Sequence, residues 1–387
     1  EGTRMRSRLP KVLHQVCGRA MVSLVVDSAR GGGFDRTVVV VAPDSHDIRK
    51  TLGDGVDYAV QSERRGTGHA LLQARGLLED VDTVAVLHGD VPLIRAGTLD
   101  SMIRLHLASD ARITLLTTDL PSPDGMGRVV RDGSGHISAV VEESEADESI
   151  RSLTEVNGGI YCFRASWLWP HLEALAPSPR GEVYLTDLVA EASRQGLAIE
   201  SVSVQTPEEI LGVNTRVQLA QAEAALRQSL RERWMLSGVT LPDPSSVYID
   251  LDTELGQDTV VFPNTHITGG SRIGRECEIG PNSIIDDAEV GDGCRIVASV
   301  VRGSTLEDLV EVGPFSHVRT GSHLGKGVHI GTSTEIKQSR LGQDTKAGHF
   351  SYIGDAEIGA NVNIGAGTVT CNFDGAEKHR TSIGDDA

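Results

Sequence analysis

Three groups of residues in this sequence have side chains suited to chemistry. Near the start, Gly2-Thr3-Arg4-Met5 is followed by Leu9-Pro10-Lys11. A glycine turn lets backbone N–H groups approach a polyphosphate. Arg4 and Lys11 add fixed positive charge where phosphoryl transfer spreads negative charge. Taken alone, the run also fits a turn carrying two solvated cations. The second group is Leu87-His88-Gly89-Asp90-Val91-Pro92-Leu93, where Asp90 directly follows an apolar run. A hard oxygen ligand just past a strand end suits Mg²⁺ in the crevice of an open α/β sheet, although an isolated Asp there also serves as a helix cap. The third surrounds His349, in Lys346-Ala347-Gly348-His349-Phe350-Ser351-Tyr352. Imidazole titrates in the range a general base needs, whereas a lone histidine among 13 otherwise reads as a surface or capping residue.

The elements that must position these groups fall into two kinds. In the first half, short apolar runs alternate with amphipathic stretches. Thr37 to Ala42 and Asp82 to His88 read as strands buried on both faces, as in a parallel sheet. Further strands are expected at Ile113 to Thr118, Ile137 to Glu142 and Gly159 to Phe163. Ala20 to Arg30, Gly68 to Leu78, Gly97 to Leu107 and Leu185 to Gln195 read as helices. The pattern predicts a doubly wound, Rossmann-like α/β domain over residues 1–216. Thr215 to Met235 has no Gly or Pro, and Leu219, Ala222, Leu226 and Leu230 line one helical face. It predicts a linker helix over 217–237, stopped by Ser237-Gly238 and the prolines beyond.

From residue 238 to 387 the sequence is a repeat. Leu255, Val261, Ile267, Ile273 and Ile279 stand six apart, as do Leu306, Val312, Val318, Leu324, Ile330 and Ile336; Leu341, Ala347 and Ile353 follow after a one-residue slip. Six is a multiple of the strand period and not of 3.6. Each hexad supplies one short strand with its apolar residue inward and a corner, often glycine, after it. This is the hexapeptide repeat of a parallel β-helix. It accounts for much of the glycine, 43 of 387 residues.

A formal charge of −18 argues against a protein that grips nucleic acid or an anionic membrane through bulk charge. No apolar stretch approaches a membrane span, and with no basic–apolar–small pattern in these residues no signal peptide is expected. The five cysteines are scattered, with no Cys-x-x-Cys pair, and read as free thiols in a reducing, cytoplasmic setting.

Further motifs follow in one order: Gln61 with Arg65-Gly66-Thr67-Gly68-His69-Ala70, Gly125-Met126-Gly127-Arg128-Val129, Val140-Val141-Glu142, Glu155-Val156-Asn157-Gly158-Gly159-Ile160 and Gly212-Val213-Asn214-Thr215-Arg216. The second half adds Phe315-Ser316-His317-Val318-Arg319, Glu335-Ile336-Lys337, Asn361-Val362-Asn363-Ile364-Gly365-Ala366-Gly367 and Cys371-Asn372-Phe373-Asp374-Gly375. Over essentially its whole length the chain resembles the bifunctional bacterial N-acetylglucosamine-1-phosphate uridylyltransferase / glucosamine-1-phosphate N-acetyltransferase family.

The resemblance implies an α/β nucleotidyltransferase domain joined by a long helix to a left-handed parallel β-helix. It implies two reactions of UDP-N-acetylglucosamine synthesis, which supplies peptidoglycan and lipopolysaccharide precursors. Glucosamine-1-phosphate is acetylated by acetyl-CoA, and UMP then passes from UTP to N-acetylglucosamine-1-phosphate with release of pyrophosphate. Arg4, with Lys11, handles phosphates; Gln61, Gly66 and Thr67 contact uracil; Gly127, Glu142 and Asn157 contact the sugar; Asp90 and Asn214 hold Mg²⁺. In the second domain His349 is the base, with Glu335 as a candidate to orient it. Arg319, Lys337, Tyr352 and Asn363 bind glucosamine-1-phosphate, and Ala366, Asn372 and Phe373 contact acetyl-CoA. The β-helix is expected to assemble as a homotrimer. His88, Gly158, Thr320 and Phe373 depart from the family's usual residues. The alternative is a nucleotidyltransferase for another sugar-1-phosphate whose β-helix serves assembly only. A chain running from Glu1 to Ala387 is also expected to be impaired in both reactions. The family's Leu-x-x-Gly ahead of Glu1 would end a central strand, and further coils after Ala387 contact coenzyme A.

Overall fold

The computed structural model of the chain describes residues 3–63, 65–178 and 181–387, so Gly2 of the Gly-Thr-Arg run lies outside the described residues. The chain divides into two compact units, residues 1–222 and 223–387, and the division falls inside the helix Arg216–Leu236.

In the first unit the valine run forms the strand Val38–Val41. It pairs in parallel with Asp57–Val60, with the helix His46–Leu52 between them in sequence. A six-stranded sheet is built around Glu155–Arg164. Ile113–Asp119, Thr83–Val86 and Arg128–Arg131 all pair with that strand antiparallel. Ile137–Val141 extends the sheet beyond Arg128–Arg131, and Ile199–Ser203 joins Ile113–Asp119 in parallel. The sheet is therefore mixed, where apolar runs alone suggested a parallel one. Those runs report burial on both faces and carry no strand direction.

Alternate residues of the long strand serve opposite faces. Tyr161 and Phe163 enter one core with Leu115, Leu168 and Leu188, while Ile160 and Cys162 enter another with Leu99, Met102 and Leu116. The helices Met21–Gly31 and Ala96–Ala108 pack together, the first burying Met21, Val22, Val25, Val26 and Ala29 along one face. A cavity of about 760 Å³ lies between Val38–Val41 and Thr83–Val86, walled also by Val22, Val26, Leu71 and Ala74. It leaves Val38, Val39 and Val40 only half-buried, although their sequence reads as a strand covered on both faces. Among the described residues no helix is long and apolar enough to cross a membrane.

The second unit is a three-sided parallel β-helix, with sheets of seven, eight and seven short strands. Glu254 pairs with Arg272, Arg272 with Glu289 and Glu289 with Thr305, so successive coils advance by 18, 17 and 16 residues. The hexad residues from Leu255 to Ile364 stack in a single core. Gly274 shows why glycine recurs at a corner, since a Cβ there would lie 2.6 Å from the Gly291 carbonyl carbon of the next coil. Buried hydroxyls bind the coils at another corner. Ser299 Oγ accepts from Ser316 N–H at 3.1 Å, and Ser316 Oγ accepts from Thr334 N–H at 3.1 Å. These bonds satisfy buried donors that would otherwise be costly. The step from Glu357 to Ser382 is 25 residues, and the added length forms a loop bearing Ala366, Asn372 and Phe373.

Candidate active sites

In the first unit, residues distant in sequence meet past the end of Thr83–Val86. The Lys11 ammonium donates to Asp90 Oδ2 and, at 2.9 Å, to Asn214 Oδ1. Arg4 donates to the same Asn214 oxygen at 3.2 Å. Val213 N–H bonds the Asp90 carbonyl at 2.8 Å, which ties the two loops together. Asn214 opens the helix Arg216–Leu236, and Gln218 Oε1 reaches back to the Asn214 and Thr215 N–H groups at 2.9 and 3.0 Å. Satisfying orphan donors in this way fixes the helix start, and with it Asn214.

A second group lies around the segment 61–69. Gln61 Nε2 bonds the His69 ring at 3.0 Å and reaches the Gly66 carbonyl at 3.4 Å. Gly66 takes φ +94°, and a Cβ there would lie 2.5 Å from the Val183 carbonyl oxygen. Only glycine tolerates both the angle and the approach. Thr67 Oγ1 accepts from Leu185 N–H at 3.3 Å.

The third group is Gly127, Glu142 and Asn157. Asn157 N–H donates to the Gly127 carbonyl at 2.9 Å, and a Cβ on Gly127 would lie 3.7 Å from Glu142 Oε2. Burial pushes the Glu142 carboxyl up from its ordinary range, against a hydrogen bond from Thr186; Glu145 and Asp187 push it further. Glu142 thus favours its neutral form more than a solvated glutamate does.

In the second unit the candidates sit on neighbouring coils. His317, Glu335 and Tyr352 pair in register along one sheet. Arg319 Nη1 donates to Glu335 Oε1 at 2.7 Å. Lys337 is half-buried and its ammonium is pushed down, chiefly by the Lys378 ammonium beside it, with Arg319 adding to the effect. Tyr352 Oη and Asn372 Nδ2 both lie over Gly354, and Asn372 Nδ2 donates to Asp355 Oδ2. His349 pairs with Thr332 on the adjacent sheet and is exposed. Its imidazole has no hydrogen-bond partner among the described residues. Glu335 is therefore engaged by Arg319 rather than by His349. Asn363, Ala366 and Phe373 are exposed, the first paired with Lys346 and the last with Lys378.

The residues 1–206 match the nucleotidyl transferase family model, and residues 252–287 match the bacterial transferase hexapeptide model of six repeats. The bifunctional protein GlmU of Heliobacterium modesticaldum is 45% identical over 389 residues, covering 100% of this chain and 85% of that protein. Those of Caldanaerobacter subterraneus subsp. tengcongensis and Shouchella clausii are 44% and 42% identical, over 84% and 86% of their lengths. The chain belongs to the bifunctional GlmU family. The resemblance drawn from the sequence motifs holds, as does the fold class, a nucleotidyltransferase unit joined to a left-handed β-helix of hexapeptide repeats. As a GlmU-family enzyme the chain is a uridylyltransferase and an acetyltransferase, acting in UDP-N-acetylglucosamine synthesis for the cell wall.

The GlmU motifs do not carry every residue that shapes these sites. Tyr161 and Lys378 touch candidate residues and lie in none of those motifs, whereas His69 and Thr186 stand in motifs but were given no role. Tyr161 is a core residue by position, and only a strand irregularity brings it to Asn157. Lys378 lies in an irregular loop that no period marks.

Proposed function

We propose that the two activities use the residues gathered above, one set in each unit. In the first unit N-acetylglucosamine-1-phosphate attacks the α-phosphorus of UTP in line, and pyrophosphate leaves. No side-chain nucleophile is needed; positioning and charge neutralisation carry the step. Arg4 and Lys11 supply cations to the triphosphate, Gln61, Gly66 and Thr67 hold uracil, and Gly127, Glu142 and Asn157 hold the sugar. The observation that carries this reading is the meeting of Arg4 and Lys11 of the N-terminal segment with Asp90 and Asn214 from two distant loops.

Asp90 and Asn214 fit Mg²⁺. Both are hard oxygen donors, and both oxygens already converge on one cation, the Lys11 ammonium. A bound Mg²⁺ supplies further charge neutralisation at the phosphates.

In the second unit His349 takes a proton from the glucosamine-1-phosphate ammonium, and the free amine attacks the acetyl-CoA thioester carbonyl. The C–S bond breaks to release the coenzyme A thiolate, which is then protonated, as the amide forms. Arg319, Lys337, Tyr352 and Asn363 hold the phosphosugar, and Ala366, Asn372 and Phe373 meet the acetyl donor. Exposed His349, Phe315 and Phe373 support a homotrimer in which neighbouring β-helices cover these sites. Buried, disulfide-free thiols at Cys162, Cys277 and Cys294 support a cytoplasmic setting.

The test assays pyrophosphate release from UTP and N-acetylglucosamine-1-phosphate with and without Mg²⁺, in the parent and in Asp90→Ala. Undiminished release in that variant would remove the metal assignment. Sedimentation should give a trimer, and a clean micromolar monomer would remove the assembly.

A further inference from the structure

The strand Glu155–Arg164 is interrupted beside the proposed sugar site. Leu115 pairs with Tyr161 and Thr117 with Asn157, so Leu116 stands opposite Gly158, Gly159 and Ile160. Such bulges re-aim side chains near active sites. Gly159 takes φ +69°, and a Cβ on it would lie 2.9 Å from the His88 ring.

The bulge brings Asn157 onto its own strand. Its Oδ1 accepts from Gly159 N–H at 3.0 Å, and its Nδ2 donates to the Tyr161 hydroxyl at 2.6 Å. Tyr161 is 2% exposed and stacks on Phe163 with ring centroids 5.6 Å apart, so its hydroxyl has a fixed position. A carboxamide has two donor hydrogens and two acceptor lone pairs. The network uses one of each and leaves one of each.

We propose that Tyr161 is a positioning residue for uridylyl transfer: its buried hydroxyl, with the Gly158–Gly159 bulge, fixes the orientation of the Asn157 amide toward the sugar phosphate. The inference rests on the reading of Asn157 as a sugar contact. An amide held on both atoms offers its remaining N–H and lone pair at fixed points. Without the tyrosine hydroxyl the nitrogen loses its partner and the amide can turn about χ2, which is a soft torsion. The sugar must then order the amide on binding, and affinity falls while the reacting phosphates stay in place.

The experiment is steady-state kinetics of the full-length enzyme with Tyr161→Phe, which keeps the ring and its stacking. KM for N-acetylglucosamine-1-phosphate should rise about five- to tenfold, the scale of one neutral hydrogen bond. kcat and KM for UTP should stay within about twofold, and the melting temperature should show the variant folded. Asn157→Ala should raise the same KM. The double variant should be no worse than Asn157→Ala alone, because Tyr161 acts through Asn157. Unchanged KM in Tyr161→Phe beside a raised KM in Asn157→Ala would overturn the positioning role and leave the sugar site standing. Additive losses in the double variant would overturn it as well. Unchanged KM in Asn157→Ala would remove the sugar-site reading, and the proposal with it.

Discussion

The two units gather their proposed phosphate-binding residues in opposite ways. In the α/β unit each cation meets a fixed acceptor: Lys11 lies between Asp90 and Asn214, and Arg4 reaches Asn214. The contacts join side chains 79 to 210 residues apart in sequence, and every one is singular. In the β-helix the cations accumulate on stacked coils and an adjoining loop. Arg319, Lys337 and Lys378 lie close enough that the Lys337 ammonium is pushed down. Among the described residues, only Arg319 of these three has a carboxylate partner, Glu335. The crevice is organised before substrate arrives, whereas the patch carries positive charge that a phosphate neutralises. Preorganised donors act where charge develops in the transition state, while a cationic patch chiefly sets ground-state affinity.

Single deletions should expose that contrast. Arg4→Ala should lower uridylyl-transfer kcat by about 10²-fold, the scale seen for one transition-state donor. Arg319→Ala should instead raise KM for glucosamine-1-phosphate by about tenfold, since two cations remain, with kcat changed far less. Parallel steady-state kinetics on both variants checks this. Equal kcat losses would erase the distinction.

The packing of the two units differs in the same sense. Ile330 is 0% exposed within an unbroken column, so Ile330→Ala should cost about 2–5 kcal/mol in denaturant unfolding. Val39 borders the cavity of about 760 Å³, and Val39→Ala should cost about 1 kcal/mol or less. A larger loss at Val39 would show that the first unit's sheet is as tightly filled as the β-helix.

A smaller effect concerns pH. Burial, and then the charge of Arg164, pushes the His106 imidazole down to about 4 from 6.5. The unfolded chain takes up that proton near pH 6.5, and the folded chain does not until about pH 4. The group's stability contribution is therefore present above pH 6.5 and lost as pH falls, by about 2 kcal/mol between pH 8 and pH 5. His106→Gln should flatten that part of the stability profile by this amount. A profile unchanged in His106→Gln would contradict the assignment.

The same contrast governs what could be read from the residues alone. In the β-helix a period of six states which side chain points inward, and the column from Leu255 to Ile364 follows it. Even there the loop bearing Asn372, Phe373 and Lys378 breaks the period, and the pairing of Glu335 with Arg319 depends on side chains rather than on register. In the α/β unit the apolar runs marked the strands Val38–Val41 and Thr83–Val86, but not that Glu155–Arg164 runs antiparallel to its partners. Direction is set by how connections cross the sheet, and no local pattern encodes it. Asn157 was legible as a site residue because it stands in a motif. Tyr161 was not, because a buried tyrosine on a strand has the same local sequence whether or not its hydroxyl holds a neighbour.

The central claim is that each unit carries its own active site and that the two sets of residues do not overlap. The direct measurement assays both half-reactions in full-length Asp90→Ala and in full-length His349→Ala, with folding and assembly checked by sedimentation. Asp90→Ala should lose at least about 10²-fold in uridylyl transfer with acetyl transfer within about threefold of the parent, and His349→Ala should show the reverse. A large loss of both activities in either correctly assembled variant would contradict the account.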